Sequence, residues 1–269
     1  MACADLIASA TTAFGGATFA ATPAATPAAT IGAAAGWLEP LAITRDDSTW
    51  TYRLTDSAHW FPISITGVIG RVCKNEDALA WIEAWREVWE PRGNTCHAAL
   101  QHFALHRWQA PRHLWPAGLE AGLPVDPWGE RYGTYGDWIA PLLAEPLWGH
   151  VQVVACELML YDLERNVAGT LDLLLRFPDG SYGIADLKSL SERGRKYDTR
   201  AQLGAGLTMA EQHYGLPMGR ALTIWVAPGR CEIRTHTAEE CRRRWVRVFN
   251  TYVREWRPFQ GLVLASTRA

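Results

Sequence analysis

The stretch VAGTLDLLLRFPDGSYGIADLKSL, residues 167–190, decides how this chain is read. Two runs rich in Val, Leu and Ile flank Phe177-Pro178-Asp179-Gly180-Ser181. Pro178 suits the second position of a type I turn, and Gly180 the left-handed residue after it. A three-residue hairpin loop of this kind sets Phe177 opposite Ser181, and the register then sets Asp172 opposite Asp186. Lys188 is two residues past Asp186 and so shares its strand face, while the reverse face of the first strand, Leu171, Leu173 and Leu175, is expected to pack inward. Two carboxylates facing each other across a ladder repel unless positive charge lies between them, and a divalent cation would satisfy both.

An acid and a base two apart on a strand are common, and Asp186 with Lys188 alone would read as an ordinary salt bridge on a solvated face. The joint arrangement points further: Asp172 in register, a Leu-rich reverse face, the hairpin, and a following helix that bears Gln202. Lys188 is also one of three lysines, with Lys74 and Lys196, among twenty-three arginines. Its compact ammonium can hold a water or an anionic oxygen without the planar fork of Arg.

Outward from this hairpin, Val151 to Tyr161 makes a third strand of an antiparallel meander. After it, a helix over Asp198 to Tyr214 ends at Gly215 and Pro217, and strands follow over Ala221 to Ala227 and Arg230 to Thr235. Thr237 and Glu240 form a capping box at the head of a long Arg-rich helix reaching Trp256. Toward the N-terminus, Trp50 to Leu54 and Trp60 to Ile69 read as short strands or extended segments. Asn75 to Glu90 reads as a helix whose Trp81, Trp85 and Trp89 recur every fourth residue, a stripe expected to face the core. Pro91-Arg92-Gly93 should break it. A second helix, capped by Asn94 or Thr95, should run from Cys96 to about Trp108 with His97, His102 and His106, and a third from Thr134 to Leu147. The expected class is α/β: a mixed sheet with an antiparallel three-strand meander, an αβββαβ core flanked by helices.

The whole chain of 269 residues is 48% apolar and 20% charged, which excludes a disordered protein, and no run of eighteen apolar residues is present to span a membrane. Residues 1–36, rich in Ala, Thr and Pro, read as a disordered tail, and 37–269 as a single domain with an N-terminal helical part. No positive charge precedes Arg45, so a basic signal region is not expected. A net charge of −2 excludes a histone-like protein, yet Glu192 to Arg257 holds thirteen Arg or Lys against seven Asp or Glu. Six cysteines without a CxxC pair point to reduced thiols in an intracellular, cytoplasmic setting.

Gly169-Thr170-Leu171-Asp172, then Asp186-Leu187-Lys188 fourteen residues on, then a helix with Gln202-Leu203, resembles the motif set of the PD-(D/E)xK nuclease superfamily. The likeness is to its RecB-like branch, which includes CRISPR-associated RecB-like nucleases and the mitochondrial genome maintenance exonuclease. Pro62-Ile63-Ser64-Ile65-Thr66 and Gly93-Asn94-Thr95-Cys96-His97 are similar to two further segments of the branch, and the matches span just over half the chain. The resemblance implies a restriction-endonuclease-like fold. It also implies a site in which Asp172, Asp186, the Leu187 carbonyl and His97 hold Mg²⁺ or Mn²⁺. Lys188 would orient or help deprotonate the attacking water, Glu157 would be the upstream acid, and Gln202 would touch substrate or steady the lysine. Taken alone, His97 reads first as a helix histidine packed in the core, and the preceding Gly93-x-x-x pattern brings the ligand reading level with it.

The implied activity is a metal-dependent DNA nuclease, in preference an exonuclease, acting in DNA repair, recombination or processing, with DNA that is single-stranded or has free duplex ends. A helicase or recombinase would be the kind of protein partner. Arg193, Arg195, Lys196 and Arg200 leave the third strand beside the site and could guide a phosphate backbone, with Ser64 and Thr66 as further contacts. Arg242, Arg243, Arg244, Arg247 and Arg254 would extend that track or form a solvated face, and Trp60, Trp108 and Trp115 are candidates to stack on unpaired bases. The chain departs from the branch where Gly204-Ala205-Gly206 replaces a Gln-Leu-x-x-Tyr continuation, and it lacks the four-cysteine frame of some relatives, so no iron–sulfur cluster is expected. The alternative is a non-catalytic nucleic-acid-binding or assembly module on the same fold. Such a module would be expected to have lost one of Asp172, Asp186 or Lys188, and all are present.

Overall fold

The structure, a computed structural model, describes residues 36–119 and 132–256; all of the stretch read as a tail except Gly36 lies outside them. Three short strands come first, β1 (Ile43–Asp46), β2 (Thr51–Leu54) and β3 (Trp60–Phe61), antiparallel in that order. Helices α1 (Ile65–Cys73), α2 (Glu76–Ala84), α3 (Arg86–Arg107) and α4 (Gly136–Leu143) follow. A five-stranded sheet then takes β4 (Gln152–Asp162), β5 (Val167–Arg176), β6 (Tyr182–Ser189), β7 (Met218–Ala227) and β8 (Arg230–Thr237) in sequence order. Helix α5 (Arg200–Tyr214) lies between β6 and β7, and α6 (Ala238–Glu255) comes last. Strands β4, β5 and β6 form the antiparallel meander. The β6–β7 pair is parallel, which requires a crossover, and α5 supplies it.

The large sheet is apolar on both faces because each is covered. One face packs Leu174, Ile184 and Ala221 against α1, α5 and α6, where Leu203, Leu207, Trp245 and Tyr252 are buried. Here α5 and α6 cross so closely that a Cβ on Gly204 would lie 2.0 Å from the Cys241 carbonyl oxygen, so the crossing admits only glycine. The other face packs Leu173, Leu175, Ala185 and Leu187 against α3 and α4. The small sheet seats Ile43, Tyr52, Leu54 and Phe61 on Tyr161 and Ala168, at the end of the β4–β5 ladder.

The hairpin has the register its turn dictates. Phe177 N–H donates to the Ser181 carbonyl and Gly180 N–H to the Phe177 carbonyl, both at 2.9 Å, with Gly180 at φ +80°. The ladder runs from Arg176 opposite Tyr182 to Leu173 opposite Ala185. Gly215 caps α5 in the left-handed conformation, and the Thr237–Glu240 capping box heads α6.

Four expectations are corrected. Ile65 to Ile69 is not extended: the Ser64 side chain accepts from Gly67 N–H and starts α1 there. The helix break falls at Trp85 rather than at Pro91-Arg92-Gly93, and α3 continues through Pro91. Burial of Cys96, Ala99, Leu100, Ala104 and Leu105 along the far half of α3 outweighs the missing proline N–H. With the helix interrupted, the Trp stripe no longer has one inward face: Trp81 is 64% and Trp85 51% exposed, and α2 buries none of its residues. Finally, Leu171 packs beside Ile184 against Gly206 of α5, in a different core cluster from Leu173 and Leu175, so β5 turns its apolar side at Asp172. Among the described residues, no helix is long and apolar enough to cross a membrane.

Candidate metal centre

The site forms where the hairpin stops being a ladder. The β5–β6 pairing ends at Leu173 and Ala185, and two residues further on Leu187 N–H donates to Asp172 Oδ2 at 2.6 Å. A side-chain carboxylate thus takes the place of a strand carbonyl and is held in the opening. In an extended strand the N–H and C=O of one residue face the same edge, so the Leu187 carbonyl faces this opening as well.

On the other side of Asp172, β4 contributes Glu157. Its neighbours Cys156 and Leu158 pair with Leu173 and Leu171, so Glu157 is level with Asp172. It has φ +48°, a left-handed conformation inside a strand, which costs a non-glycine residue about 1 kcal/mol or more. That turn breaks the in-and-out alternation, and the carboxylate reaches α3: His97 Nδ1 lies 3.2 Å from Glu157 Oε1 and 3.6 Å from Asp172 Oδ1. One donor atom from each of His97, Glu157 and Asp172 lies within 4.8 Å of the others, a set able to hold a metal ion. On β6, Lys188 Nζ donates to Asp186 Oδ1 at 2.8 Å, and the buried Asp186 Oδ2 has no hydrogen-bond partner.

Burial and charge in this small volume shift Asp172, Asp186, His97 and Lys188 upward. Burial raises the Asp172 carboxyl, with Glu157 adding and His97 opposing. Burial also pushes Asp186 up to about 6 despite the adjacent Lys188. For His97 burial works downward, but Asp172 and then Glu157 outweigh it and push the imidazole up to about 9. For Lys188 burial again works downward, but Asp186, Tyr197 and Asp172 together outweigh it and raise the amine, so it is an ammonium at neutral pH. Raised carboxyls and an orphaned buried oxygen mark a cluster short of positive charge. An imidazole with several oxygen donors suits Mg²⁺ or Mn²⁺, so the residues present fit such an ion.

A cavity of about 670 Å³ opens onto this cluster, lined by His97, Glu157, Asp172, Asp186, Lys188 and Gln202, the last from the first turn of α5. The structure therefore brings these residues to one cavity, with Glu157, read as the upstream acid, beside His97 and with Asp186 engaged by Lys188. Thr66 lines the same cavity, while the Ser64 hydroxyl is occupied in capping α1. Arg193 and Arg195 are exposed on the loop after β6. Lys196 pairs with Glu232 and Arg200 with Asp198, so these two are partly neutralised. Arg242, Arg243, Arg244 and Arg254 are each paired with an acid, which favours a solvated face for α6. Of the three tryptophans named for stacking, Trp115 lines the cavity, whereas Trp108 packs on the core and Trp60 lies outside.

Sequence reasoning missed that Lys74 and Tyr197 act on the site and that the small sheet reaches its cavity. Desolvation and then the Lys188 ammonium hold Lys74 below its ordinary pKa, which places a second lysine within electrostatic reach; the rarity of lysine was the available signal. Tyr197, on the loop before α5, is raised by desolvation and senses Lys188, Asp186 and Asp172. Arg45, Trp50 and Tyr52 line the cavity and carried no motif. No protein-family model matches the chain, and no curated protein is similar to it in sequence.

Proposed function

We propose that the protein is a divalent-metal-dependent hydrolase of DNA phosphodiesters, a PD-(D/E)xK nuclease on a restriction-endonuclease-like fold, working from strand ends as an exonuclease. One observation carries this reading: a histidine and two carboxylates converge where a hairpin ladder opens, with a buried Asp–Lys pair on the adjoining strand. His97, Asp172, Asp186 and the Leu187 carbonyl would hold Mg²⁺ or Mn²⁺, with Glu157 beside His97. A bound ion of this class polarises a phosphoryl oxygen and lowers the pKa of water.

The chain's own residues do the rest. Lys188, protonated and fixed by Asp186, presents positive charge where an anionic oxygen develops and orients the attacking water, which favours the electrostatic role over that of a base. Gln202 and Thr66 face the substrate across the cavity. Arg193 and Arg195 receive the phosphate backbone beyond it. Tyr197 is the candidate for the role of the tyrosine missing after Gln202-Leu203. A helicase or recombinase that exposes ends is the proposed kind of partner.

The test is one gel with end-labelled single-stranded DNA, linear duplex and closed circles, each with Mg²⁺, Mn²⁺ or EDTA. Linear DNA is expected to shorten with either ion and not with EDTA, while circles survive. Intact linear DNA under every condition, or equal cleavage by purified Lys188→Ala, would overturn the proposal.

A further inference from the structure

Trp50 occupies an expensive position. It closes the turn between β1 and β2 at φ +55°, where Gly or Asn would be unstrained, and its ring is 46% exposed, so neither backbone comfort nor burial accounts for a tryptophan. The ring is nevertheless held in place. The Arg45 guanidinium carbon lies 4.7 Å from its centroid, and Arg45 is itself fixed by Asp47 at 2.6 Å and by Thr170 Oγ1 at 3.2 Å. The Tyr52 hydroxyl engages the same Thr170 oxygen at 3.0 Å.

Thr170 connects this group to the metal centre. It precedes Asp172 by two residues on β5, and both residues line the same cavity. Trp50, Arg45, Tyr52, Thr170 and Asp172 all line one cavity. A part-exposed indole backed by a guanidinium, in the lining of the cavity that holds the ligand cluster, is a platform for a flat ring attached to a phosphate.

We propose that Trp50 stacks on an unpaired nucleobase and that Arg45 holds the adjoining phosphate, so that the small sheet selects unpaired over paired strands. Inside a duplex both faces of each base are covered by neighbours, so away from its ends only an unpaired base can lie on the indole. The inference rests on the hydrolase reading for the nature of the strand, but it does not need cleavage.

The experiment measures binding of a short fluorescein-labelled oligothymidylate in EDTA, beside an abasic strand of equal length. Trp50→Ala is expected to bind oligothymidylate about tenfold more weakly, as loss of one stacked base implies, and to bind the abasic strand as the native protein does. Trp50→Phe should keep most of the affinity. Trp81→Ala, which removes a more exposed indole that does not line the cavity, should change nothing. Unchanged affinity in Trp50→Ala, an equal loss on the abasic strand, or no binding by the native protein overturns the inference. Trp50-dependent binding without cleavage in Mg²⁺ or Mn²⁺ would sink the hydrolase reading alone; cleavage with Trp50-independent binding would sink only this one.

Discussion

The two ends of the β5–β6 hairpin are built from one pair of strands and do opposite things. At the turn end, Leu173 to Arg176 pair with Tyr182 to Ala185 in an unbroken ladder whose Leu174, Leu175 and Ile184 are fully buried. At the far end the ladder opens, and Asp172, Asp186 and Lys188 occupy ground that hydrophobic side chains would stabilise better. The raised carboxyls, the orphaned Asp186 oxygen and the left-handed Glu157 are all costs, and all fall within that end. The turn end holds the strands together so that the open end can carry strain.

Substitutions should therefore separate the two ends. The largest effect is expected from Lys188→Ala or Asp172→Ala, which should lower metal-dependent cleavage per folded molecule by about a thousandfold or more in a timed assay. Next, Leu175→Ala at the turn end should cost about 3 kcal/mol in urea unfolding through the cavity it leaves, while cleavage per folded molecule stays at the native level. If Leu175→Ala abolished cleavage while folded, the division between the ends would fail.

A smaller contrast concerns pH. His97 is raised from 6.5 to about 9, so the stability it contributes is complete below 6.5 and is lost as pH rises through 9. In EDTA the melting temperature should thus fall by about 5 °C between pH 7 and 9. The slope should flatten in His97→Gln and persist in Leu175→Ala. The smallest effect is Gly180→Ala: open space surrounds the position, so only its φ of +80° is at stake, about 1 kcal/mol by calorimetry, with cleavage untouched.

The same division explains what could be read in advance. The turn Phe177-Pro178-Asp179-Gly180-Ser181 specifies a local geometry, and from it the register follows, so Asp172 and Asp186 could be brought to one end of the hairpin before any coordinates. The Thr237 capping box and the Gly215 stop are local too. Long-range packing was not legible. Pro91 looked like a break because proline breaks isolated helices, but the buried half of α3 decides where that helix runs. The Trp81–Trp85 stripe implied a core only if one straight helix carried it. The contact of Glu157 with His97 was not legible because nothing in Cys156-Glu157-Leu158 announces a left-handed residue, and Trp50 was missed because a turn between two four-residue strands has no motif.

The central claim, that the open end of the hairpin holds a divalent cation, is tested most directly by titrating Mn²⁺ into the protein and following the free-ion signal by electron paramagnetic resonance. The native protein and Leu175→Ala are predicted to remove Mn²⁺ from solution with the same stoichiometry, whereas Asp172→Ala leaves it free. Equal uptake by native protein and Asp172→Ala, or no uptake by either, would contradict the account.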